Sequence, residues 1–227
     1  RGKSLKGIIN LSTEENITAI CSIDNFESEK YLCMVTKFGI LKKTDLNVFQ
    51  NAKKGGIIAL NLKKNDELVD VKVVDKGDDI VIASRGGLLL RTNLMKMRSM
   101  GRTAAGIIGM RLHKEDSIIA IDMVKKNSSL FVITEKGYGK RVNFQNFANK
   151  GRGGKGMTYV KVTDKNGYAN GVKSVFDSDE IIITSKNGMA IRVMAEEISS
   201  QGRATVGVKL LDLKDDDYVT DFAAINE

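Results

Sequence analysis

The sequence predicts an all-β repeat fold: about four units of four-stranded antiparallel sheet, placed side by side in a propeller-like ring or arc with a period near 50 residues. Three observations carry this prediction. First, a glycine-basic signature recurs, with Gly101-Arg102 leading to Gly106, Gly151-Arg152 to Gly156, Gly202-Arg203 to Gly207, and Gly2-Lys3 to Gly7. A worn copy, Asn51-Ala52-Lys53-Lys54-Gly55-Gly56, keeps the last glycine and the positive charge, so the closing glycines stand 49, 50, 50 and 51 residues apart. Second, the hairpin glycines Gly39, Gly87, Gly137 and Gly188 mark the same register independently, between short runs of β-branched residues. Third, charge alternates with the period. Arg85–Lys114 and Lys136–Thr163 each hold seven Lys or Arg and no acid, whereas Asp66, Glu67, Asp70, Asp75, Asp78 and Asp79 collect between basic stretches.

The elements follow in chain order. Residues 1–12 read as the remnant of a preceding unit, four units occupy 13–62, 63–112, 113–162 and 163–213, and 214–227 supplies a closing strand. In the third unit, runs at 117–121, 130–134, 138–144 and 157–162 are four strands separated by Gly and Asn turns. Pro is absent, so Gly39, Gly56, Gly87, Gly106, Gly137, Gly156, Gly188 and Gly207 must supply the turn conformations. No single unit of this size buries both faces of its sheet, and stacking is what covers them.

Composition sets limits. Apolar residues make up 42% and charged residues 28%, the balance of a folded chain, and no apolar run approaches the ~18 residues of a membrane span. The first residue, Arg1, sits in mid-repeat, so the chain reads as a fragment. Cys21 and Cys33, twelve apart in one unit, read as reduced thiols of a cytoplasmic protein rather than as a metal or disulfide pair. A net charge of +8 asks for an acidic partner, and its periodic placement asks for a polyanion that follows the repeats.

Catalytic material is scarce. His113 is the only histidine and lies beside Lys114, as a solvated loop residue does. Asp66, Asp116 and Asp217, with Asn166 at the matching place, recur ten residues after a signature glycine and are expected to cap turns. No spacing suits a metal ion. Gly151-Arg152-Gly153-Gly154-Lys155-Gly156 fits a dinucleotide fingerprint by letter, but a strand-like stretch follows it where that motif needs a helix. The loop still suits a phosphate, because its glycines expose backbone N–H groups and Lys150, Arg152 and Lys155 supply charge. A second basic position lies four residues past each hairpin glycine, at Lys43, Arg91, Arg141 and Arg192.

Thr134–Arg141 followed by Lys150–Gly156, together with Met97–Leu112 and Gly55–Leu68, resembles the C-terminal domain of DNA gyrase A over essentially the whole chain. The resemblance implies a β-pinwheel, a propeller-like disc of six blades that exchange strands, of which this chain would hold about the last four. It implies a non-catalytic domain whose basic perimeter binds, bends and wraps double-stranded DNA without regard to sequence. Negative supercoiling would belong to the holoenzyme, an A2B2 assembly of gyrase A with gyrase B, using ATP and Mg on other domains and no cofactor here. The expected DNA contacts are Lys150, Arg152, Lys155, Lys140, Arg141, Arg91, Arg102, Lys42, Lys43, Lys53, Lys54, Arg192 and Arg203. The fragment is expected to be monomeric, bacterial, cytoplasmic and nucleoid-associated, with no membrane contact. The family's hallmark box, which belongs to the first blade, would lie upstream of Arg1, and Lys150–Gly156 is the related box of a later blade. The rivals are the equivalent domain of topoisomerase IV, which has fewer and less regular blades, and a protein-binding kelch-like propeller, which would expect recurring Trp where this chain has none.

Overall fold

The computed structural model describes residues 9, 11–12, 14–26, 29–53 and 55–225; the signature copy at Gly2–Gly7, most of the 1–12 remnant, and Lys54 lie outside them. Its strands are β1 (Lys30–Thr36), β2 (Ile40–Asp45), β3 (Leu68–Asp75), β4 (Asp79–Ser84), β5 (Leu88–Asn93), β6 (Ile107–Ile108), β7 (Ile118–Met123) and β8 (Ser129–Thr134). They continue as β9 (Tyr138–Asn143), β10 (Met157–Thr158), β11 (Ala169–Val175), β12 (Glu180–Ser185), β13 (Ala190–Met194), β14 (Val208–Lys209) and β15 (Val219–Ile225). Short 3-10 turns at Leu46–Phe49, Leu94–Lys96, Phe144–Asn146 and Ala195–Glu197 follow the return strand of each hairpin.

The fold is an all-β pinwheel of four antiparallel sheets. Their strand orders are β3-β1-β2-β6, β7-β4-β5-β10, β11-β8-β9-β14 and, for the last, β15-β12-β13 among the described residues. The unit 113–162, read from sequence as one sheet, is divided: β7 and β10 join the β4–β5 hairpin, whereas β8 and β9 pair with β11 and β14. The reason is local. A turn such as Lys125–Ser128, with Asn127 at φ 63, reverses the chain equally well into a neighbouring strand or into the next layer, and only tertiary packing decides between them.

The apolar strands explain the stacking. On β4, Ile80 and Ile82 enter a core with Cys33, Val35, Leu41 and Leu90, while Val81 and Ala83 enter a second core with Leu130, Val132 and Tyr159. On β8 the alternation repeats one layer on, where Phe131 and Ile133 join Val175, Ile181, Ile183 and Leu211 in a third core. These central strands are covered on both faces, so they read as unbroken apolar runs rather than alternating ones. The strands β3, β7, β11 and β15 contact one another in succession and form the inner edge; β6, β10 and β14 lie on the opposite, outer edge.

Candidate nucleic-acid interface

The outer edge is built by the signature loops. Each leads into a two-residue strand that docks on a hairpin laid down one unit earlier: β6 on β2, β10 on β5 and β14 on β9. The closing glycine makes the docking possible. Gly156 has φ +81, and a Cβ there would stand 2.7 Å from Met110 Cε and 3.0 Å from the Leu89 carbonyl oxygen, so a larger residue would be strained and crowded. All eight turn glycines named above have positive φ.

Successive loops abut. Arg111 N–H donates to the Gly154 carbonyl at 2.9 Å and Gly153 N–H to the Gly109 carbonyl at 2.6 Å, while Lys161 N–H donates to the Thr205 carbonyl at 3.0 Å. Arg102 Nη1 donates to the Ile58 carbonyl at 3.1 Å, and Arg203 Nη1 donates to the Thr158 carbonyl at 3.2 Å. The segments at 58–61, 101–111, 151–161 and 202–209 therefore form one continuous track.

Lys53, Lys150, Arg152 and Lys155 are exposed on or beside this track, and among the described residues their side chains have no hydrogen-bond or ion-pair partner. Arg102 and Arg203 are half-buried, each with donors to spare. The root of the Lys150–Gly156 loop is held firmly. Asp79 accepts from Arg91 Nε and Nη2 at 3.0 and 2.7 Å, from Asn93 at 2.7 Å and from Asn149 at 2.8 Å, and Lys150 N–H donates to the Arg91 carbonyl at 2.9 Å. Burial works to raise the Asp79 carboxyl, but the bonds from Asn93, Arg91 and Asn149 and the Arg91 charge outweigh it and hold it below the usual range. Between this root and the Leu94–Lys96 turn lies a cleft of about 570 Å³, with Leu41, Leu94 and Met97 on its walls and Lys96, Lys150 and Arg152 among its charges.

Several residues expected on the track are used inside the fold instead. Lys42, Lys43 and Lys140 are buried, and their ammonium groups bind protein carbonyls, so they do not face a phosphate. The second basic position clamps the next sheet's 3-10 turn. Lys43 Nζ donates to the Leu94 carbonyl at 2.8 Å, Arg91 Nη1 to that of Phe144 at 3.0 Å, and Arg141 Nε to that of Ile198 at 2.9 Å. Arg141 is also paired with Asp177, and Arg192, which is exposed, is held by Glu180. In the first three sheets a basic residue at a constant place on the return strand thus meets carbonyls in or just past the 3-10 turn of the neighbouring sheet. Sequence periodicity is the same for that role as for a phosphate contact.

Sequence reasoning did not single out four exposed cations as contacts. Arg111 and Lys161, each five residues past a signature glycine, carry the track across to the next loop. Lys96 lines the cleft, and Arg98 follows its Met97 wall. Their spacing was a usable signal, since Arg111 and Lys161 are themselves 50 residues apart.

The remaining chemistry is structural. Asp116 accepts from Gly86 N–H at 2.8 Å and Ser84 Oγ at 2.7 Å, and Asp217 accepts from Asn187 N–H at 3.0 Å and Ser185 Oγ at 2.7 Å, each capping a hairpin turn. Asn166 departs from this pattern, turning its side-chain oxygen to Thr163 N–H at 2.8 Å. His113 is exposed in a loop. Among the described residues no three metal-ligating side chains cluster, and no helix is long and apolar enough to cross a membrane.

Comparison with known proteins adds independent findings. The family described as DNA gyrase C-terminal domain, beta-propeller, matches residues 30–75, 78–125, 128–175 and 179–226. These segments run from hairpin to inner strand, so they differ in phase, not in number, from units counted between signature glycines. The DNA gyrase A protein of Leptospira biflexa is 57% identical over the whole chain, and those of Brachyspira hyodysenteriae and Treponema pallidum are 54% and 49% identical over 99% of it. The chain spans only 27–28% of the length of these relatives. A solved DNA gyrase A C-terminal domain superposes with a TM-score of 0.91 at 28% identity, covering 99% of this chain and 75% of that one. The C-terminal domain of DNA topoisomerase IV gives the same TM-score at 24% identity, covering 99% of this chain and 70% of that one, which speaks to the fold alone.

Proposed function

We propose that this chain, which belongs to the DNA gyrase C-terminal domain family, binds duplex DNA by its phosphates along the outer edge and bends it, as a non-catalytic part of a gyrase A protein. The observation that supports this most is the abutment of successive signature loops, which puts the exposed Lys150, Arg152, Lys155, Arg111 and Lys161 on one continuous track. Such contacts read backbone charge and no base, so binding is indifferent to sequence. Bending 20–30 bp costs on the order of 1–6 kcal/mol, which a single cation does not repay and a row of them does. In this reading Lys150, Arg152 and Lys155 grip phosphates, Arg102, Arg111, Lys161 and Arg203 continue the path, and Lys53 and Lys96 extend it. The bent DNA would serve supercoiling by an A2B2 holoenzyme with gyrase B, whose ATP and Mg chemistry lies on other domains, in the bacterial cytoplasm at the nucleoid. The topoisomerase IV reading shares the fold; the named relatives and the glycine-rich Lys150–Gly156 loop favour gyrase.

The test is a mobility shift on long duplexes of unrelated sequence across a salt series, with Lys150, Arg152 and Lys155 changed together to Ala in parallel. The expected result is similar affinity for every duplex, a steep fall with salt, and a log–log slope shallower by roughly 2–3 in the triple variant, about 0.9 for each phosphate that is no longer neutralised. Equal slopes for both proteins would remove this loop from the interface, and no binding at low salt would refute the reading.

A further inference from the structure

Lys42 and Lys140 are among the largest fully buried side chains of the molecule. Each stands three residues past a hairpin glycine, Gly39 or Gly137, and each ammonium faces the signature loop that a later repeat delivers. Lys42 Nζ donates to the carbonyls of Ala104 at 2.9 Å and Ala59 at 2.7 Å, and to that of Arg102. Lys140 Nζ lies 2.8 Å from the carbonyls of both Gly202 and Arg203, 3.1 Å from that of Thr205 and 2.9 Å from Thr205 Oγ1. In both loops the cation therefore holds the carbonyl of the very arginine whose side chain lies on the track.

The second sheet differs at this position. Leu90 occupies the equivalent place, three residues past Gly87, and its Cδ1 would lie 3.3 Å from a Cβ on Gly154. The loop above it, Gly151–Gly156, has no buried cation and carries its lysine, Lys155, on the exposed side. A buried ammonium is tolerated only while its donors are satisfied. Loops 101–106 and 202–207 thus cannot shift without stranding that charge, and no such restraint acts on 151–156.

We propose that Lys42 and Lys140 are positioning residues of the DNA track: each fixes the backbone of one signature loop and so the bearing of Arg102 or Arg203, while the loop over Leu90 is held by its backbone bonds to Gly109 and Arg111 with no buried cation beneath it. The inference rests on the DNA-binding reading and divides its track into two loops clamped by a buried cation and one that has none.

A double-mutant cycle on the full chain tests it, with long duplex DNA as the probe and Lys140→Met, Arg203→Ala and the pair compared across a salt series. The expected result is that each single change lowers affinity about three- to tenfold and that the pair binds no more weakly than Arg203→Ala alone. Amide exchange in the free Lys140→Met protein should quicken at 202–206 and stay unchanged at 151–156. Thr205→Val, a change at an exposed loop residue that keeps every charge, is expected to weaken binding about twofold, and it carries the test if Lys140→Met does not fold. Wild-type affinity and slope in the variants, or effects at Lys140 and Arg203 that simply multiply, would overturn the inference while leaving the DNA reading intact. A wild-type chain that fails to bind DNA would overturn both.

Discussion

Asp79 shows how one carboxylate organises a loop it does not belong to. It gathers Arg91, Asn93 and Asn149, and through them fixes where Lys150 leaves the sheet. Because its folded pKa lies below the ordinary value, the stability it lends is present above about pH 4 and is lost as pH falls through the depressed value. Asp79→Asn is expected to cost about 1–2 kcal/mol at pH 7, and the gap to wild type should narrow at pH 2, toward which the carboxylate takes up its proton. Thermal unfolding at the two pH values measures this, and an equal gap at both would mean that the carboxylate charge is irrelevant. Burial pushes Lys140 down to about 8, so it remains mainly charged at neutral pH. Individual residues were where the sequence spoke least clearly. Lys140, Arg141 and Lys150 all look like surface cations by type, and only burial separates a clamp from a phosphate contact.

At the scale of the element, the two-residue strands β6, β10 and β14 do the work of joining repeats. Their closing glycines sit at positive φ close against neighbouring atoms, where a methyl group would be strained and crowded, and Tyr159, just past β10, is buried with its hydroxyl donating to the Ser84 carbonyl at 3.0 Å. Gly156→Ala is expected to destabilise the fold by about 1–3 kcal/mol through strain at positive φ. Tyr159→Phe should cost about 0.5–1.5 kcal/mol by stranding only one hydrogen bond. Denaturant midpoints at constant m-value check both, and a neutral Gly156→Ala would show that the docked strand yields easily. The glycine periodicity made these loops legible in the sequence, along with the four hairpins. Their partners were not legible, because β10 pairs with β5 across more than 60 residues of chain and nothing local in Met157-Thr158 names that partner.

Among the described residues of the whole molecule, three cores lie between four sheets, and each central hairpin contributes to the core on either side of it. Phe131 is fully buried in the third core, edge-on to Phe222 at 5.3 Å, so Phe131→Ala is expected to cost about 3–5 kcal/mol. Far from the outer edge, that change should leave the salt dependence of DNA binding untouched at temperatures where the protein stays folded. Repeat number, fold class and the alternation of charge were all readable from sequence because each is periodic. The strand exchange between sheets was not readable from residue patterns, since a shift of phase leaves a period unchanged.

In the proposed function DNA lies on the outer edge, across the abutting signature loops. Hydrogen exchange of the chain with and without a long duplex locates the contact directly. The expected result is slowed exchange at 101–111, 150–161 and 202–209, with the hairpin turns 37–39, 85–87 and 135–137 and the inner strands β3, β7 and β11 unchanged. Protection centred on those turns or on the inner edge, with the signature loops unaffected, would contradict it.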